Sequence, residues 1–315
     1  MVLHTPVLFL IFNRPQLTQR VFDAIAIAKP KRLYIAADGP RESNESDNEL
    51  CAQTREVTTK VNWDCEVKTL FRQQNLGCKT AVAGAINWFF EHEEEGIILE
   101  DDCLPHESFF RYCEELLHRY RNDERVMSVS GSNLLGKPWK YDEQSYFFAH
   151  GGIWGWATWR RAWQLYDRDM KGWPDLQTQK TIKENIQTKD WYNFYAPMFE
   201  ASYNDTLDTW DIQWFYTILV NNGLAINPAV NLVSNIGFAN GTHLNSNDTA
   251  IANLSVSPIA FPLVPPPSQK ADKAYLKLTY KHVTGGQQAL TMFPRRVINF
   301  LRKSILGINP QPAQP

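Results

Sequence analysis

The chain has 315 residues, of which 43% are hydrophobic and 21% are charged. These proportions exclude a collagen, a coiled coil and a wholly disordered protein, and the length suits one large domain or two ordinary ones. The formal net charge of −2 argues against a dedicated nucleic-acid-binding protein, because such proteins carry a basic excess. Residues 259–315 nevertheless contain eight Lys and Arg against one Asp, so we expect this end of the chain to have partners of its own.

The five cysteines form no Cys-x-x-Cys pair, which indicates neither a disulfide framework nor a zinc site. Residues 1–12 lack the basic start and the small-residue cleavage site of a signal peptide. No run of about 18 apolar residues predicts a transmembrane helix. The sequence therefore predicts a cytoplasmic protein.

Strand-like and helix-like patterns alternate through the first part of the chain. Apolar runs predict β-strands at residues 6–12, 33–37 and 97–99, and residues 65–71 and 125–129 are predicted to add two more strands. Apolar residues at helical spacing lie between these runs. Because such alternation is typical of βαβ units, we expect an α/β fold with a Rossmann-like, mostly parallel sheet flanked by helices.

Polar residues follow four of the predicted strands, and in folds of this kind ligands bind beyond the carboxyl ends of the strands. The four clusters are Asn13-Arg14, Asp38-Gly39, Glu100-Asp101-Asp102 and residues 130–133. Since parallel strands end at one edge of the sheet, we expect the clusters to converge on a single crevice.

The adjacent carboxylates of Glu100, Asp101 and Asp102 repel one another, and a hard divalent cation relieves that repulsion. A metal that serves a nucleotide, Mg²⁺ or Mn²⁺, is usually held by one or two carboxylates together with diphosphate oxygens. The same triplet is compatible with a solvated acidic turn or a helix start. Its position directly after a buried strand favours the metal site.

Three other residues of this half have the chemistry to bind a nucleotide. Asp38 can accept a hydrogen bond from a nucleobase N–H or a ribose hydroxyl, although Asp-Gly-Pro also makes an ordinary turn. Arg14 can face phosphate or base, or can be a solvated loop arginine. Lys79 falls in the first turn of a predicted helix, where a bound anion would explain a cation that the helix dipole disfavours. Neither G-x-x-x-x-G-K-[ST] nor G-x-G-x-x-G occurs, which removes the usual support for a kinase or a nicotinamide enzyme.

The second part of the chain is rich in Trp and in helical patterns, at residues 158–166, 191–203 and 208–221. The run from Gly151 to Trp159 combines small residues with flat Trp rings, which suit either a ligand platform or a packed core. Asp211 stands between Trp210 and Trp214, so we expect it to be desolvated, which raises the pKa of a carboxylate and makes it a better base. The alternative is an Asp that favours a helix start through the helix dipole.

These motifs together resemble the GT-A glycosyltransferases. The resemblance is carried by residues 8–15, 37–40 and 75–79, by 97–102 with Glu-Asp-Asp in the place of the metal-binding D-x-D motif, and by the Gly-Trp-rich run at 155–163. More narrowly, the chain resembles bacterial nucleotide-diphospho-sugar transferases, some of which carry a haemolysin-like name. It also distantly resembles the inverting N-acetylglucosaminyltransferases that act on mannose of N-glycans.

The resemblance implies roles for particular residues. The donor nucleotide would contact Phe12, Asn13, Arg14, Asp38, Lys79 and Asp101. The metal would be held directly by Asp102, with His243 as a second ligand to metal or diphosphate, and the sugar and acceptor would be bordered by Trp154, Gly155 and Trp156. Asp211 would be the general base of an inverting transfer. This chain has Trp-Asp-Ile-Gln-Trp where the eukaryotic relatives have Trp-Asp-Asp-Trp, so Asp208 is the substitute.

The function implied is the metal-dependent transfer of a hexosyl or N-acetylhexosaminyl group from a nucleotide-diphospho-sugar, with UDP-sugars favoured. The acceptor would be a hydroxyl of a glycan or lipid-linked saccharide, as in polysaccharide biosynthesis. We assign residues 1–258 to the catalytic domain, with a nucleotide-binding half at 1–135 and a Trp-rich acceptor half at 136–258. Residues 259–315 are assigned to a Pro-rich linker and a basic tail.

Two other functions stay open. A sugar-nucleotide pyrophosphorylase shares the style of fold, but it needs a Gly-rich loop after the first strand, where this chain has Asn13-Arg14-Pro15. A membrane-active, non-enzymatic protein is suggested by residues 289–306, which have the pattern of a basic amphipathic helix. The same pattern suits peripheral contact with an anionic membrane at its inner face, or a helix packed on the domain.

Overall fold

The computed structural model describes residues 2–240 and 251–284. Its strands are β1 (Val7–Ile11), β2 (Arg32–Ala37), β3 (Glu66–Phe71), β4 (Glu95–Glu100), β5 (Cys103–Pro105), β6 (Val126–Ser130), β7 (Tyr146–Ala149), β8 (Trp156–Trp159), β9 (Leu224–Pro228) and β10 (Val233–Asn235). Its helices are α1 (Pro15–Ala28), α2 (Asp47–Val57), α3 (Gly77–His92), α4 (Ser108–Tyr120), α5 (Arg160–Trp163), α6 (Leu176–Asn185), α7 (Lys189–Tyr203), α8 (Asp211–Val220) and α9 (Lys273–Thr284). A 3₁₀ turn spans Gly237–Asn240.

Eight of the strands form one sheet in the order β3-β2-β1-β4-β8-β6-β9-β7. Strands β1 to β4 pair in parallel, and β6 pairs in parallel with β9. Only β8 and β7 run against their neighbours in this sheet, so six of its eight strands point the same way. The predicted α/β class, with a mostly parallel sheet flanked by helices, is confirmed.

Successive residues of the central strands contribute to different hydrophobic cores. In β1, Val7 and Phe9 belong to the core that includes residues of α1 and α4, whereas Leu8 and Leu10 belong to the core that includes residues of α3 and α8. Every residue of β1 is buried, because helices cover both faces of the sheet. This explains why the first strands read as unbroken apolar runs.

The start of the predicted helix at residues 158–166 is wrong. Residues Trp156–Trp159 form β8, which inserts antiparallel between β4 and β6, and a single helical turn, α5, follows it. Aromatic and β-branched residues suit a half-buried pleated strand, and the Thr158 hydroxyl donates to the Met127 carbonyl at 2.6 Å. The Trp-rich run therefore supplies a strand of the main sheet.

Residues 259–284 pack on the body, which corrects the linker assigned from residue 259 onward. Ile259 and Leu263 are buried in the same core as α1 and α4. Tyr275 of α9 is 3% exposed, and its hydroxyl oxygen accepts the Leu134 amide at 3.1 Å. The packed body thus extends at least to Thr284. No helix among the described residues is both long enough and apolar enough to span a membrane.

Candidate functional site

The ends of β1 and β4 bring one arginine and two aspartates together. Arg14, just before α1, donates one guanidinium N–H to Asp102 Oδ2 at 2.9 Å and another to Asp101. The Phe12 amide also donates to Asp101, at 3.3 Å. Four of the residues predicted for the nucleotide and the metal therefore lie in direct contact, as neighbouring strand ends require.

Negative charge exceeds positive charge at this edge of the sheet, which we call the acidic edge after Glu100, Asp101 and Asp102. Burial alone would lower the pKa of Arg14, but the carboxylates of Asp101 and Asp102 outweigh it and raise that pKa. Burial raises the pKa of Glu100 well above its usual range, and the nearby charges of Asp102 and Asp211 add to the effect. One guanidinium thus faces several carboxylates, an arrangement that a divalent cation fits.

A second, two-stranded sheet places backbone against Asp102. Strand β10 pairs antiparallel with β5, which begins directly after Asp102. The Ile236 amide donates to the Asp102 carbonyl at 2.8 Å. A Cβ at Gly237 would stand only 2.4 Å from Asp102 Oδ2, so the absence of a side chain there lets the chain pass beside the carboxylate.

Trp154 borders the same place. Its ring packs edge-on against Phe238 with the centroids 5.8 Å apart, and its carbonyl accepts the Ser132 hydroxyl at 3.0 Å. Phe238 directly follows Gly237, the residue that lies against Asp102. The half-buried Trp154 is therefore the aromatic residue of the Gly-Trp run that lies towards the acidic edge.

Trp156 and Gly155, predicted to border the sugar, are engaged in packing. Trp156 is fully buried and stacks on Trp210 with the ring centroids 5.5 Å apart. Gly155 has φ +61, and a Cβ there would meet Val233 at 2.7 Å. Its carbonyl accepts the Gly131 amide at 2.7 Å. Both residues are therefore buried, and neither exposes a surface on which a sugar could stack.

Asp38, at the end of β2, holds the loop before α3. Its carboxylate accepts the Leu76 amide at 3.0 and 3.1 Å and the Gly39 amide at 2.9 Å. Burial raises the pKa of Asp38 despite these hydrogen bonds. The carboxylate of Asp38, which is predicted to contact the nucleoside, therefore also holds this loop in position.

Asn13 and Phe12 lie in a neighbouring network. The Asn13 side-chain amide donates to Asp47 Oδ1 at 2.8 Å, and Arg41 donates to Asp47 Oδ2 at 2.6 Å. The Arg41 guanidinium also stands over the Phe12 ring, 5.4 Å from its centroid. Asp47 is completely buried, so the pair with Arg41 fixes the loop that follows β2 beside the crevice.

The beginning of α3 is capped by a residue from far along the chain. Asp208 accepts the Cys78 amide at 3.0 Å and the Lys79 amide at 2.8 Å, which satisfies two free N–H groups of the first turn. The Lys79 ammonium is buried and pairs with the exposed Asp205 at 2.9 Å. The anion that the sequence predicts beside Lys79 is here a carboxylate of the protein itself.

Asp211 opens α8 and faces the acidic edge. Burial raises its pKa, and the Thr209 hydroxyl and backbone amides at the helix start only partly oppose that effect. Its charge contributes to the raised pKa values of Glu100, Cys78 and Tyr195. Asp211 therefore lies near the triplet, whereas the substitute Asp208 is engaged in the helix cap.

Arg72 is a candidate that the sequence reasoning missed. It directly follows β3, as Asp38 directly follows β2, so the signal was its place at a strand end. The half-buried guanidinium makes no ion pair or side-chain hydrogen bond with the part of the chain that the structure describes. Burial lowers the pKa of Arg72, and the charge of Asp38 opposes that shift.

His243 and residues 289–306 lie outside the described residues. Among residues 2–240 and 251–284, no group of three or more His, Cys, Asp or Glu side chains is placed to hold a metal ion by itself. A metal that depends on one or two carboxylates and on diphosphate oxygens remains compatible with that arrangement.

No family model and no curated protein matches the chain. Among solved structures it is similar to a UDP-glucose pyrophosphorylase complexed with UDP-glucose, with 12% identity, 72% of this chain and 90% of that chain covered, and a TM-score of 0.34. It is also similar to mouse xyloside xylosyltransferase 1 in its apo form, with 10% identity, 70% and 81% covered, and a TM-score of 0.33. A third is HddC from Yersinia pseudotuberculosis, with 9% identity, 50% and 77% covered, and a TM-score of 0.31. The fold class given above stands on this chain's own strand order and polarity.

Proposed function

We propose that the chain is a metal-dependent glycosyltransferase that uses a nucleotide-diphospho-sugar, with UDP-sugars favoured, and inverts the anomeric configuration. The proposal rests on one observation: the end of β4 and the start of α8 lie close together at one edge of the sheet. Glu100, Asp101 and Asp102 end β4, and Asp211 at the start of α8 is close enough for its charge to raise the pKa of Glu100. A donor site and a candidate base therefore adjoin.

On the donor side, the bound metal would neutralise the charge that develops on the leaving diphosphate. Asp102 would hold it, because its carboxylate is less buried than that of Asp101. Gly237 leaves room beside that carboxylate, and His243 follows six residues later in the sequence. Arg14 forms ion pairs with both Asp101 and Asp102.

The nucleoside would lie over the ends of β1 to β3. Arg72 supplies a cation without a side-chain partner in the described residues, and Asp38 supplies an acceptor for a base N–H or a ribose hydroxyl. Lys79 is held by Asp205, which is 80% exposed and can move aside when diphosphate enters. These residues bind and orient the donor.

On the acceptor side, Asp211 would take the proton of the attacking hydroxyl. Its burial raises its pKa, which brings the carboxylate closer to the range where a general base works best. The attack comes from the face opposite the leaving diphosphate, so the product has the inverted configuration. Asp208 is less suited to this task because backbone amides of α3 bind both oxygens of its carboxylate.

The first test is calorimetry of UDP binding with and without Mn²⁺. We expect metal-dependent binding by the unaltered chain and its loss, by tenfold or more, in Asp102→Asn, about 1.4 kcal/mol. Glu107→Gln is the matched control, because Glu107 is an exposed carboxylate five residues away. Equal and mild effects of the two changes would favour a solvated acidic turn over a metal site.

The second test concerns the stereochemistry. With UDP-glucose, UDP-galactose or UDP-N-acetylglucosamine and no acceptor, slow transfer to water should release a free sugar whose first-formed anomer is β, followed by NMR before mutarotation. Release of the α anomer contradicts the inverting mechanism. The absence of any nucleoside diphosphate binding in the presence of Mn²⁺ contradicts the proposed function itself.

A further inference from the structure

An aromatic wall lies one helical turn from Asp211. Phe215 is four residues after Asp211 in α8, and residues four apart lie on the same face of a helix. The Tyr195 ring of α7 packs on Phe215 with the centroids 4.4 Å apart. Both rings are half-buried, so each has one side in a packed core and another towards solvent.

The buried side of this wall is rigid. Tyr195 stacks on Trp191 with the centroids 5.5 Å apart and on Phe199 with the centroids 5.9 Å apart. Phe199 in turn stacks on Phe215 at 6.0 Å. Because Trp191 and Phe199 are buried core residues, they hold the two outer rings in fixed orientations.

The Tyr195 hydroxyl is the polar group beside the wall that can meet a ligand. It has no hydrogen-bond partner within the part of the chain that the structure describes. The charge of Asp211, one helical turn before Phe215, acts on this hydroxyl, so the carboxylate lies near the phenol. Next to Phe215, Gly151 comes no closer than an ordinary contact, since a Cβ there would stand 3.7 Å from the ring.

We propose that Tyr195 and Phe215 form the acceptor subsite and that its occupant is a neutral pyranose, one face of which stacks on the rings while a hydroxyl points at Asp211. A pyranose has an apolar C–H face and a rim of hydroxyls, which matches a ring wall with a carboxylate and a phenol at its edge. The inference deepens the proposed function and rests on it, because it names the class of acceptor that Asp211 would deprotonate.

The test uses four methyl pyranosides as probes: the glucoside, galactoside, mannoside and N-acetylglucosaminide. Binding to the full chain, saturated with UDP and Mn²⁺, is followed by saturation-transfer NMR and titration. We expect at least one of them to bind, with transfer strongest to the protons of one ring face. Tyr195→Leu and Phe215→Leu should each weaken that binding about fivefold, since leucine keeps apolar volume but has no flat face. Tyr195→Phe should lose less, because it keeps the ring.

Tyr192→Leu is the matched control, because Tyr192 lies on the same helix but has the Lys183 ammonium over its ring. It should leave the affinity for the pyranoside unchanged. Calorimetry with UDP and Mn²⁺, and thermal melting, are run on every variant to separate a lost subsite from a lost fold. Binding of UDP without binding of any pyranoside, or pyranoside binding that Tyr195→Leu and Phe215→Leu leave intact, overturns the subsite alone. Failure of the unaltered chain to bind UDP overturns the proposed function.

Discussion

Asp208 and Asp211 are three residues apart in the sequence, but their carboxylates have different surroundings. Asp208 caps α3 through the Cys78 and Lys79 amides, whereas Asp211 faces the acidic edge. We expect Asp208→Ala to lower the free energy of unfolding by about 1 kcal/mol, as loss of a helix cap does. Asp211→Asn should keep the melting temperature and the affinity for UDP, and lose about 10²–10⁴ in transfer rate.

Thermal melting, calorimetry and initial rates of UDP release, measured on both variants, check this pair of expectations. The reverse pattern, with turnover lost in Asp208→Asn and kept in Asp211→Asn, would move the base by three residues. Such a result would also require the α3 cap to open during catalysis.

His150 predicts a dependence of stability on pH. Burial lowers the pKa of His150 to about 4, below the value of 6.5 for an ordinary histidine. The unfolded chain therefore takes up a proton as the pH falls below about 6.5 while the folded chain does not, so this contribution to stability is complete above about 6.5 and is lost progressively towards pH 4. The full loss is about 3 kcal/mol.

Urea unfolding midpoints at pH 7.5 and 5.0 measure this loss. His150→Gln should flatten the difference between the two midpoints, even if it lowers both. His118→Gln, at an exposed position, should leave the difference as it is. A pH dependence that survives His150→Gln would assign the effect to other groups.

At the scale of elements, the pairing of β10 with β5 brings Gly237 beside the Asp102 carboxylate. Gly237→Ala should push the Asp102 carboxylate aside, because the added Cβ would stand 2.4 Å from Asp102 Oδ2. We expect the Mn²⁺-dependent affinity for UDP to fall about tenfold, which corresponds to about 1.4 kcal/mol. Calorimetry measures it, with Asp102→Asn as the background for a double-mutant cycle.

In that cycle, Gly237→Ala should add little to Asp102→Asn, since the residue it displaces no longer holds the metal. Full additivity of the two changes would mean that Gly237 acts through the fold and leaves Asp102 where it is.

Strands β1, β2, β4 and β6 could be predicted because they are buried and are separated by turn residues. The last two residues of β8 are predicted as the start of a helix because they run directly into the helical turn α5, and a short Trp-rich segment has no clear period. The contacts that define the site could not be predicted from the sequence, because they join residues that are far apart along the chain. Asp208 and Cys78, for example, are 130 positions apart, and only tertiary folding brings them together.

For the same reason, Trp156 suggested a ligand platform in the sequence and became core in the structure. A Trp ring suits both environments, and what decides between them is the stacking partner, Trp210. Asp211, in contrast, is expected to be desolvated by its Trp neighbours; it is half-buried, and burial raises its pKa.

For the whole molecule, the packing of α9 sets where the chain can be shortened. A chain that ends at Ser268 loses Ala271, Tyr275 and Leu276 from a core and loses the Asp272 partner of the Trp139 N–H. We expect the free energy of unfolding to fall by about 5 kcal/mol, from the burial of those side chains. A chain that ends at Thr284 should melt like the full chain.

The same two truncations separate folding from membrane contact. If residues 289–306 bind anionic membranes, both shortened chains should fail to sediment with vesicles of anionic phospholipid, and only the chain that ends at Thr284 should stay fully folded. Sedimentation of that chain at the level of the full one would exclude the tail as the contact.

The position of β8 limits how the chain can be divided into parts that fold on their own. β8 lies between β4 and β6, so a strand from the second half of the chain is interleaved between two strands of the first. Removing everything after residue 135 would leave β4 without β8 and β6 without both β8 and β9, and would expose three rows of unpaired backbone groups, which recruit other chains. Residues 1–135, assigned to the nucleotide-binding half, therefore do not make an independent folding unit. An evolutionary or engineered exchange of acceptor specificity has to proceed through loops and helices such as α7, because the two halves cannot be swapped as modules.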